Sequence, residues 1–150
     1  MKRQDIDDKY RDKTIVKVED TNKEFPYLCQ RFYDFPENKL TMIGITGTDG
    51  KTSTATIIQT LIGKEDCGYI GTNGRSCAEF SGDNPNTTPD ADKFYSYLEE
   101  FVEYGCHYAS TEASSEAFFR NRLVTFNYDL AILTNVTSEH LNIHGSFENY

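Results

Sequence analysis

A glycine-rich segment that ends in Lys51-Thr52 is the part of the chain best suited to chemistry. It reads Gly44-Ile-Thr-Gly-Thr-Asp-Gly-Lys-Thr52 and directly follows an apolar run. Glycines allow successive backbone N–H groups to point inward, the start of a helix adds partial positive charge, and Lys51 adds a full charge. The hydroxyl of Thr52 is a ligand for Mg²⁺. The segment therefore predicts a site for a nucleoside triphosphate.

The spacing of this segment departs from that of the standard P-loop. The standard pattern has its first glycine at the position of Ile45, whereas Gly47 gives a shorter Gly-x-x-Gly-Lys-Thr turn. The bland alternative is a glycine-rich turn between a strand and a helix, with a lysine on its surface. The apolar strand before the turn and the helix-like stretch after it are the context that a phosphate loop requires, and they favour the phosphate site.

The charge balance limits the partners of the chain. Its 150 residues include 15 basic and 24 acidic side chains, a formal charge of −9. Nucleic acids and anionic membranes need clustered Lys and Arg, so neither is expected as the main partner. A phosphate and a carboxylate about 4 Å apart repel by roughly 4 kcal/mol at an effective dielectric near 20. Cations must therefore be concentrated locally, and the candidates are Lys51, Arg122 and Mg²⁺ held by Thr52 with nearby carboxylates.

The four cysteines and the amino terminus predict a cytoplasmic location. No Cys-x-x-Cys pair is present, the first residues contain no apolar signal segment, and no stretch approaches the length of a membrane span. Reduced thiols are the default in that compartment.

Strands and helices are predicted to alternate from Leu40 onward. Strands are expected at 40–46, 67–71, 107–112 and 129–134, and helices at about 51–63, 89–104 and 114–122. This alternation indicates an α/β fold with a doubly wound parallel sheet of the P-loop type. The first and last of these strands are almost wholly apolar, so both are expected to be covered on both faces.

The remaining segments carry weaker signals. A short β-like piece is predicted at 14–18, and a helix is predicted within 22–35. The connection 71–88 is rich in Gly, Asn and Ser, and so long an irregular connection is usually functional. Thr88 at its end is predicted to cap the helix that follows.

Polar side chains follow the predicted strands where each strand ends. Ligands of open parallel sheets collect at the carboxyl ends of the strands, which gathers Glu112, Ser114, Asn135 and His140 around Lys51. Glu112 is placed to help hold Mg²⁺. The alternative is that Glu112 is a solvated loop glutamate without a functional role. For His140 the options are a metal ligand, a phosphate contact, or an exposed loop histidine.

Five motifs follow one another in register along the chain: Gly44-Ile-Thr-Gly-Thr-Asp-Gly-Lys-Thr52, Ile70-Gly-Thr-Asn-Gly74, Asn86-Thr-Thr-Pro-Asp90, Glu112-Ala-Ser-Ser115, and Leu133-Thr-Asn-Val-Thr-Ser-Glu-His-Leu-Asn-Ile-His-Gly145. Taken together, these motifs resemble the Mur ligases, ATP-dependent enzymes that add amino acids to the peptidoglycan precursor. The resemblance is closest to the type that adds the third residue.

The resemblance implies roles for particular residues. It implies that ATP is held by Thr46, Gly47, Thr48, Asp49, Gly50, Lys51, Thr52 and Ser53. It implies that Mg²⁺ is bound through Thr52, Glu112 and His140, and that catalysis depends on Lys51, Glu112 and His140. It implies that the UDP-N-acetylmuramoyl-dipeptide is contacted by Asn86, Thr87, Thr88, Ser114, Arg120 and Arg122.

The resemblance also implies a reaction and a domain plan. The dipeptide carboxylate would attack the γ-phosphate of ATP, and an amino acid would then displace phosphate to form an amide. Residues 1–39 would be the end of an N-terminal UDP-substrate domain with a linker, and residues 40–150 the first part of the central ATP-binding domain. The C-terminal ligase domain would be absent, and the chain by itself would be an inactive fragment.

The chain departs from the family pattern at four positions. Asp49 stands where Asn is usual, Glu116 where His or Gln is common, Arg120 where Gln is frequent, and Glu139 where Asp is usual. None of these changes removes an implied metal ligand.

Two alternatives stay open from the sequence. One is a nucleotide-binding module without ligase activity. The other is a folate-polyglutamate or cyanophycin-type ligase, which shares the phosphate loop but fits less well with Asn86-Thr-Thr-Pro-Asp90 and His140-Leu-Asn-Ile-His144.

Overall fold

The computed structural model describes residues 10, 12–137, 145–147 and 149. Helices and strands alternate over most of this range. In chain order they are α1 (Thr21–Phe32), β1 (Thr41–Thr46), α2 (Lys51–Ile62), β2 (Cys67–Gly71), β3 (Gly74–Cys77), β4 (Phe80–Gly82), α3 (Ala91–Glu103), β5 (Tyr108–Glu112), α4 (Ser115–Phe119) and β6 (Leu130–Leu133). A short 3₁₀ helix, Pro36–Lys39, joins α1 to β1.

A mixed sheet lies at the centre of the described part of the chain. Its strand order is β4-β3-β2-β5-β1-β6. The pairs β2–β5, β5–β1 and β1–β6 are parallel, which confirms the predicted α/β fold. The pairs β2–β3 and β3–β4 are antiparallel, so a short hairpin extends the parallel sheet at one edge. The two additional strands lie inside the predicted irregular connection 71–88, where short Gly- and Ser-rich strands leave no alternating apolar pattern.

Helices cover both faces of the sheet, as doubly wound folds require. On one face, α3 buries Phe94, Leu98 and Phe101 against the strands. On the other face, α2 packs through Ala55 in a smaller cluster that includes Tyr69. The central strands are therefore held between two apolar layers, and their carboxyl ends share one edge.

The start of α3 differs from the sequence expectation. Its N-cap is Asp90, which has extended backbone and makes no side-chain cap hydrogen bond. The hydroxyl of Thr88 instead donates to the carbonyl oxygen of Glu112 at 2.7 Å. A contact with a distant strand has replaced the local cap. The other end agrees with the pattern, because the helix stops at Glu103 and Gly105 follows with a φ of +83°.

Three further expectations were wrong. Residues 14–18 form no strand. The helix expected at 114–122 is reduced to the five residues of α4. In the described ranges β6 pairs with β1 alone and lies at the sheet edge, with Leu130 51% and Leu133 64% exposed, so its apolar character does not reflect cover on both faces.

All four cysteines are free and buried. Burial raises the pKa of the Cys67 thiol to about 12, so this side chain remains protonated at neutral pH. Across the ranges described above, no helix combines the length and the apolar character that a membrane crossing demands.

We predict that Leu98→Ala lowers the free energy of unfolding by about 2–5 kcal/mol, because it leaves a cavity under the sheet. Leu98 is fully buried in the main apolar cluster. The matched control is Glu99→Ala at the exposed neighbouring position, which should change stability by no more than about 0.5 kcal/mol. Urea unfolding measures both values, and equal midpoints for the two variants would contradict this packing.

Candidate functional site

The glycine-rich turn between β1 and α2 has the backbone of an anion site. Gly47 and Gly50 have φ values of +130° and +83°, which side-chain-bearing residues rarely adopt. Helix α2 begins at Lys51 with Gly50 as its N-cap, no side chain caps it, and its first turn contains no acidic residue. The N–H groups of that turn have no intrahelical acceptors, so a bound anion can accept their hydrogen bonds.

The segment after β6 holds this turn in place. The N–H of Thr48 donates to the Asn135 carbonyl at 3.0 Å. Asp49 and Asn135 exchange two hydrogen bonds, each 3.0 Å long. The Thr134 hydroxyl donates to the Asp49 carbonyl at 2.6 Å. A Cβ added to Gly47 would lie 2.2 Å from Thr134 Oγ1, so only glycine permits this close approach.

The side chain of Lys51 folds back over the turn. Its Nζ lies 2.6 Å from the carbonyl oxygen of Gly47 and 2.7 Å from that of Thr48. Both partners are neutral, so a phosphate oxygen is a stronger acceptor for this ammonium group than either of them. The turn therefore combines a fixed positive charge with backbone donors.

Glu112, at the end of β5, is a buried acidic residue beside the turn. It is 0% exposed. Its Oε1 accepts from the Tyr69 hydroxyl at 2.6 Å and from the Thr72 N–H at 3.0 Å. Its Oε2 accepts from the Thr52 hydroxyl at 2.9 Å and from the Thr72 hydroxyl at 3.2 Å. The solvated-loop alternative for Glu112 is thereby excluded.

The surroundings of Glu112 fit a divalent cation. Within the described ranges, no Lys, Arg or His side chain forms an ion pair with it, and all its donors are neutral. A buried carboxylate without a cationic partner is costly, and Mg²⁺ would provide the missing charge. Thr52 Oγ1 and Glu112 Oε2, 2.9 Å apart, are the hard oxygen donors that Mg²⁺ prefers. Burial and the bond to Glu112 raise the pKa of Tyr69, so its hydroxyl stays a donor.

A cleft of about 200 Å³ lies beside the turn. It brings the loop lysine together with most of the predicted substrate-contact residues. Its lining consists of Gly47, Lys51, Asn86, Thr87, Thr88, Ser114, Ser115, Glu116 and Arg122.

Thr88 organises one wall of this cleft. Its hydroxyl donates to the Glu112 carbonyl at 2.7 Å and accepts from the Ser114 N–H at 2.9 Å. Arg122 Nη1 donates to the Thr88 carbonyl at 3.1 Å. The same few atoms therefore join the end of β5 to the segment that precedes α3.

The two arginines have different positions. Arg122 is 15% exposed, and its Nε lies 2.7 Å from Asp90 Oδ1, an ion pair without hydrogen-bond alignment. Arg120 is 58% exposed, donates to Glu116 Oε1 at 2.6 Å, and lies outside the cleft. The last predicted site residue, His140, lies outside the described residues.

Comparison with known proteins agrees with this geometry. A profile of the Mur ligase middle domain matches residues 45–150. The chain belongs to the Mur ligase family.

Among the relatives of this Mur ligase chain is the UDP-N-acetylmuramoyl-L-alanyl-D-glutamate--2,6-diaminopimelate ligase of Clostridium perfringens. It is 36% identical over 141 residues, which cover 93% of this chain and 29% of the relative. The corresponding L-lysine ligase of Staphylococcus haemolyticus is 38% identical over 142 residues, with 93% and 28% covered. A solved structure of a 2,6-diaminopimelate ligase matches with a TM-score of 0.77 at 29% identity, over 90% of this chain and 28% of that one. The chain thus spans under a third of the length of these relatives.

Three polar residues of the site were missed by the sequence reasoning. Tyr69 and Thr72 hold Glu112, and Thr134 holds the glycine-rich turn. Thr72 lies inside one of the five motifs, which was a usable signal. Tyr69 lies on a strand whose apolar pattern explains an aromatic residue without any polar role, so nothing in the sequence marks it.

We predict that Thr88→Val lowers the free energy of unfolding by about 1–3 kcal/mol, because the buried Glu112 carbonyl and the part-buried Ser114 N–H both lose the Thr88 hydroxyl as partner. Thr87→Val is the control, since it removes an exposed hydrogen bond, 2.9 Å long, between the Thr87 and Thr72 hydroxyls. Denaturant unfolding of both variants distinguishes the two positions. If Thr87→Val costs as much as Thr88→Val, the described network does not brace this wall.

Proposed function

We propose that the protein to which this chain belongs is an ATP-dependent ligase that adds an amino acid to UDP-N-acetylmuramoyl-dipeptide in peptidoglycan synthesis. The observation that carries the proposal is the junction of three features at one sheet edge: the phosphate turn with Lys51, the buried Glu112 beside Thr52, and the cleft lined by Asn86 to Thr88. The two bacterial relatives are named as ligases of this kind, one for diaminopimelate and one for L-lysine. Because their identities are nearly equal, the proposal covers the shared reaction and not the choice of amino acid.

ATP fits the turn through its phosphates. Residues 46–53 would surround the β- and γ-phosphates, with the amides at the start of α2 as donors. Lys51 would exchange its two carbonyl partners for phosphate oxygens, as its position over the turn allows. Asn135 holds the turn through its hydrogen bonds with Thr48 and Asp49, and it leaves the amides of the first turn of α2 unused.

Thr52 and Glu112 would hold Mg²⁺, with His140 as the further ligand that the resemblance implies. When bound, the ion neutralises negative charge on the phosphates and orients them for attack. The chain supplies the oxygen donors at fixed positions, because Glu112 is buried and held by donors on both of its oxygens.

The reaction has two steps. A carboxylate oxygen of the dipeptide attacks the γ-phosphorus, the bond to the β,γ-bridging oxygen breaks, and ADP leaves with that electron pair. The amino group of the incoming residue then attacks the acyl carbon, phosphate departs, and the nitrogen releases a proton. Positioning and charge stabilisation contribute most of the catalysis in phosphoryl transfer.

The cleft beside Lys51 would receive the reacting end of the dipeptide substrate. Asn86, Thr87 and Ser114 offer neutral polar groups, and Arg122 offers positive charge on the same wall. Arg120 is assigned to the same substrate by the resemblance, and its exposed position at the neighbouring surface suits a more distant part of that molecule.

We further propose the domain plan that the resemblance implies, with residues 1–39 at the end of the UDP-substrate domain and 40–150 in the central ATP-binding domain. A cytoplasmic location is proposed as well, and the four free, buried cysteines support it.

We predict that Lys51→Ala lowers kcat by more than about a hundredfold in the natural protein, because no other side chain of the turn brings a fixed cation to the phosphates. Lys64→Ala, at an exposed position after α2, is the control and should retain activity. Product formation from ATP, UDP-N-acetylmuramoyl-dipeptide, and diaminopimelate or lysine provides the measurement. Turnover of Lys51→Ala within tenfold of the unmodified protein would rule out the assignment.

We predict that Glu112→Gln raises the Mg²⁺ concentration required for half-maximal activity, because an amide oxygen binds Mg²⁺ more weakly than a carboxylate oxygen. Glu99→Gln, on the exposed side of α3, serves as the control. Activity is followed during a Mg²⁺ titration at saturating ATP. An unchanged midpoint for Glu112→Gln would remove Glu112 from the metal site.

A further inference from the structure

We propose that Tyr69 is a positioning residue of the magnesium site: its hydroxyl fixes the Glu112 carboxylate so that Oε2 faces Thr52. The inference rests on the function proposed above. It goes further by assigning a role to a side chain that the resemblance does not include.

The position of Tyr69 on β2 is set by the sheet. Tyr69 pairs with Ser110 of the neighbouring β5, two residues before Glu112. Its ring is buried in the apolar cluster beneath α2. From there the hydroxyl lies 2.6 Å from Glu112 Oε1. It also accepts a 3.3 Å hydrogen bond from the N–H of Asn73, which leaves its own proton for Glu112.

The two oxygens of Glu112 have different kinds of partner. Oε1 is bound by the Tyr69 hydroxyl, which its packed ring keeps in place, and by the Thr72 backbone N–H. Among the described residues, the partners of Oε2 are two threonine hydroxyls, those of Thr52 and Thr72. A threonine hydroxyl can turn its proton away and present a lone pair to a cation. Oε1 is therefore the anchored oxygen, and Oε2 is the oxygen that can accept Mg²⁺.

Gly71 leaves the space in which the Tyr69 hydroxyl and Glu112 meet. A Cβ at this position would lie 2.1 Å from Glu112 Oε1 and 2.3 Å from the Tyr69 hydroxyl oxygen. Any larger residue would separate the two groups. Loss of a group that orients a metal ligand usually lowers metal affinity by about ten- to a hundredfold. Removing the Tyr69 hydroxyl is therefore expected to weaken Mg²⁺ binding through its effect on Glu112.

The test is the Mg²⁺ dependence of nucleotide binding, measured with a fluorescent ATP analogue in the natural protein without turnover. Tyr69→Phe retains the ring and removes the hydroxyl, and it should raise the required Mg²⁺ concentration by about tenfold. Tyr95→Phe is the matched control, because Tyr95 is also buried and its hydroxyl contacts Thr125 Oγ1 at 2.7 Å. The Mg²⁺ requirement of Tyr95→Phe should stay within twofold of that of the unmodified protein. The nucleotide affinity of Tyr69→Phe without Mg²⁺ should also stay within twofold of the unmodified value.

A double-mutant cycle separates positioning from general structural support. In a Glu112→Gln background, Tyr69→Phe should change the Mg²⁺ requirement by less than twofold. The inference is overturned if Tyr69→Phe alone leaves the requirement within twofold, or if its effect persists in that background. If either result is found while the unmodified protein still binds the nucleotide in a Mg²⁺-dependent way, the proposed function stands and only the role of Tyr69 is rejected. A complete lack of nucleotide binding by the unmodified protein would overturn both.

A second measurement covers the case in which Tyr69→Phe fails to fold. With 3-fluorotyrosine incorporated at position 69 alone, the ¹⁹F resonance should shift when Mg²⁺ is added to the nucleotide complex. The same label at Tyr95 should not respond. An unresponsive label at position 69 in a protein that binds Mg²⁺ and nucleotide would overturn the inference.

Discussion

The burial of the Glu112 carboxylate is the constraint on which the rest of the site depends. A charged group without solvent contact must have every lone pair supplied with a donor or a cation. In the described part of the chain the donors are neutral and come from three elements, through Tyr69 of β2, Thr72 of the turn after it, and Thr52 of α2. At this edge, the strand order and the packing of α2 against the sheet bring those donors to the same carboxylate.

The same end of β5 joins the proposed nucleotide side of the site to the proposed substrate side. The carboxylate of Glu112 contacts the first turn of α2, while its backbone carbonyl receives the Thr88 hydroxyl. Thr88 in turn binds the N–H of Ser114 at the start of α4. A displacement of β5 would therefore disturb the proposed metal ligand and the proposed substrate wall together. This coupling suits a reaction in which a carboxylate and a phosphate must meet in one geometry.

Local sequence patterns predicted those parts of the site whose geometry is set by residues close together in the chain. The glycine-rich turn and the helix after it follow from Gly47, Gly50 and Lys51, because the backbone geometry is set within this segment. The contact of Tyr69 with Glu112 spans 43 positions of sequence, and no local pattern records it. Thr88 failed as a predicted cap for the same reason, because a strand carbonyl competed successfully with the adjacent helix. The hairpin β3–β4 was missed because its pairing comes from neighbouring strands rather than from its own composition.

A crystal structure of the natural protein with Mg²⁺ and a non-hydrolysable ATP analogue is the most direct measurement of this account. We expect the β- and γ-phosphates to accept hydrogen bonds from the amides at the start of α2. We expect Mg²⁺ about 2.1 Å from Thr52 Oγ1, with Glu112 Oε2 beside it. Phosphates bound away from the turn, or a metal ion remote from both Thr52 and Glu112, would contradict the account.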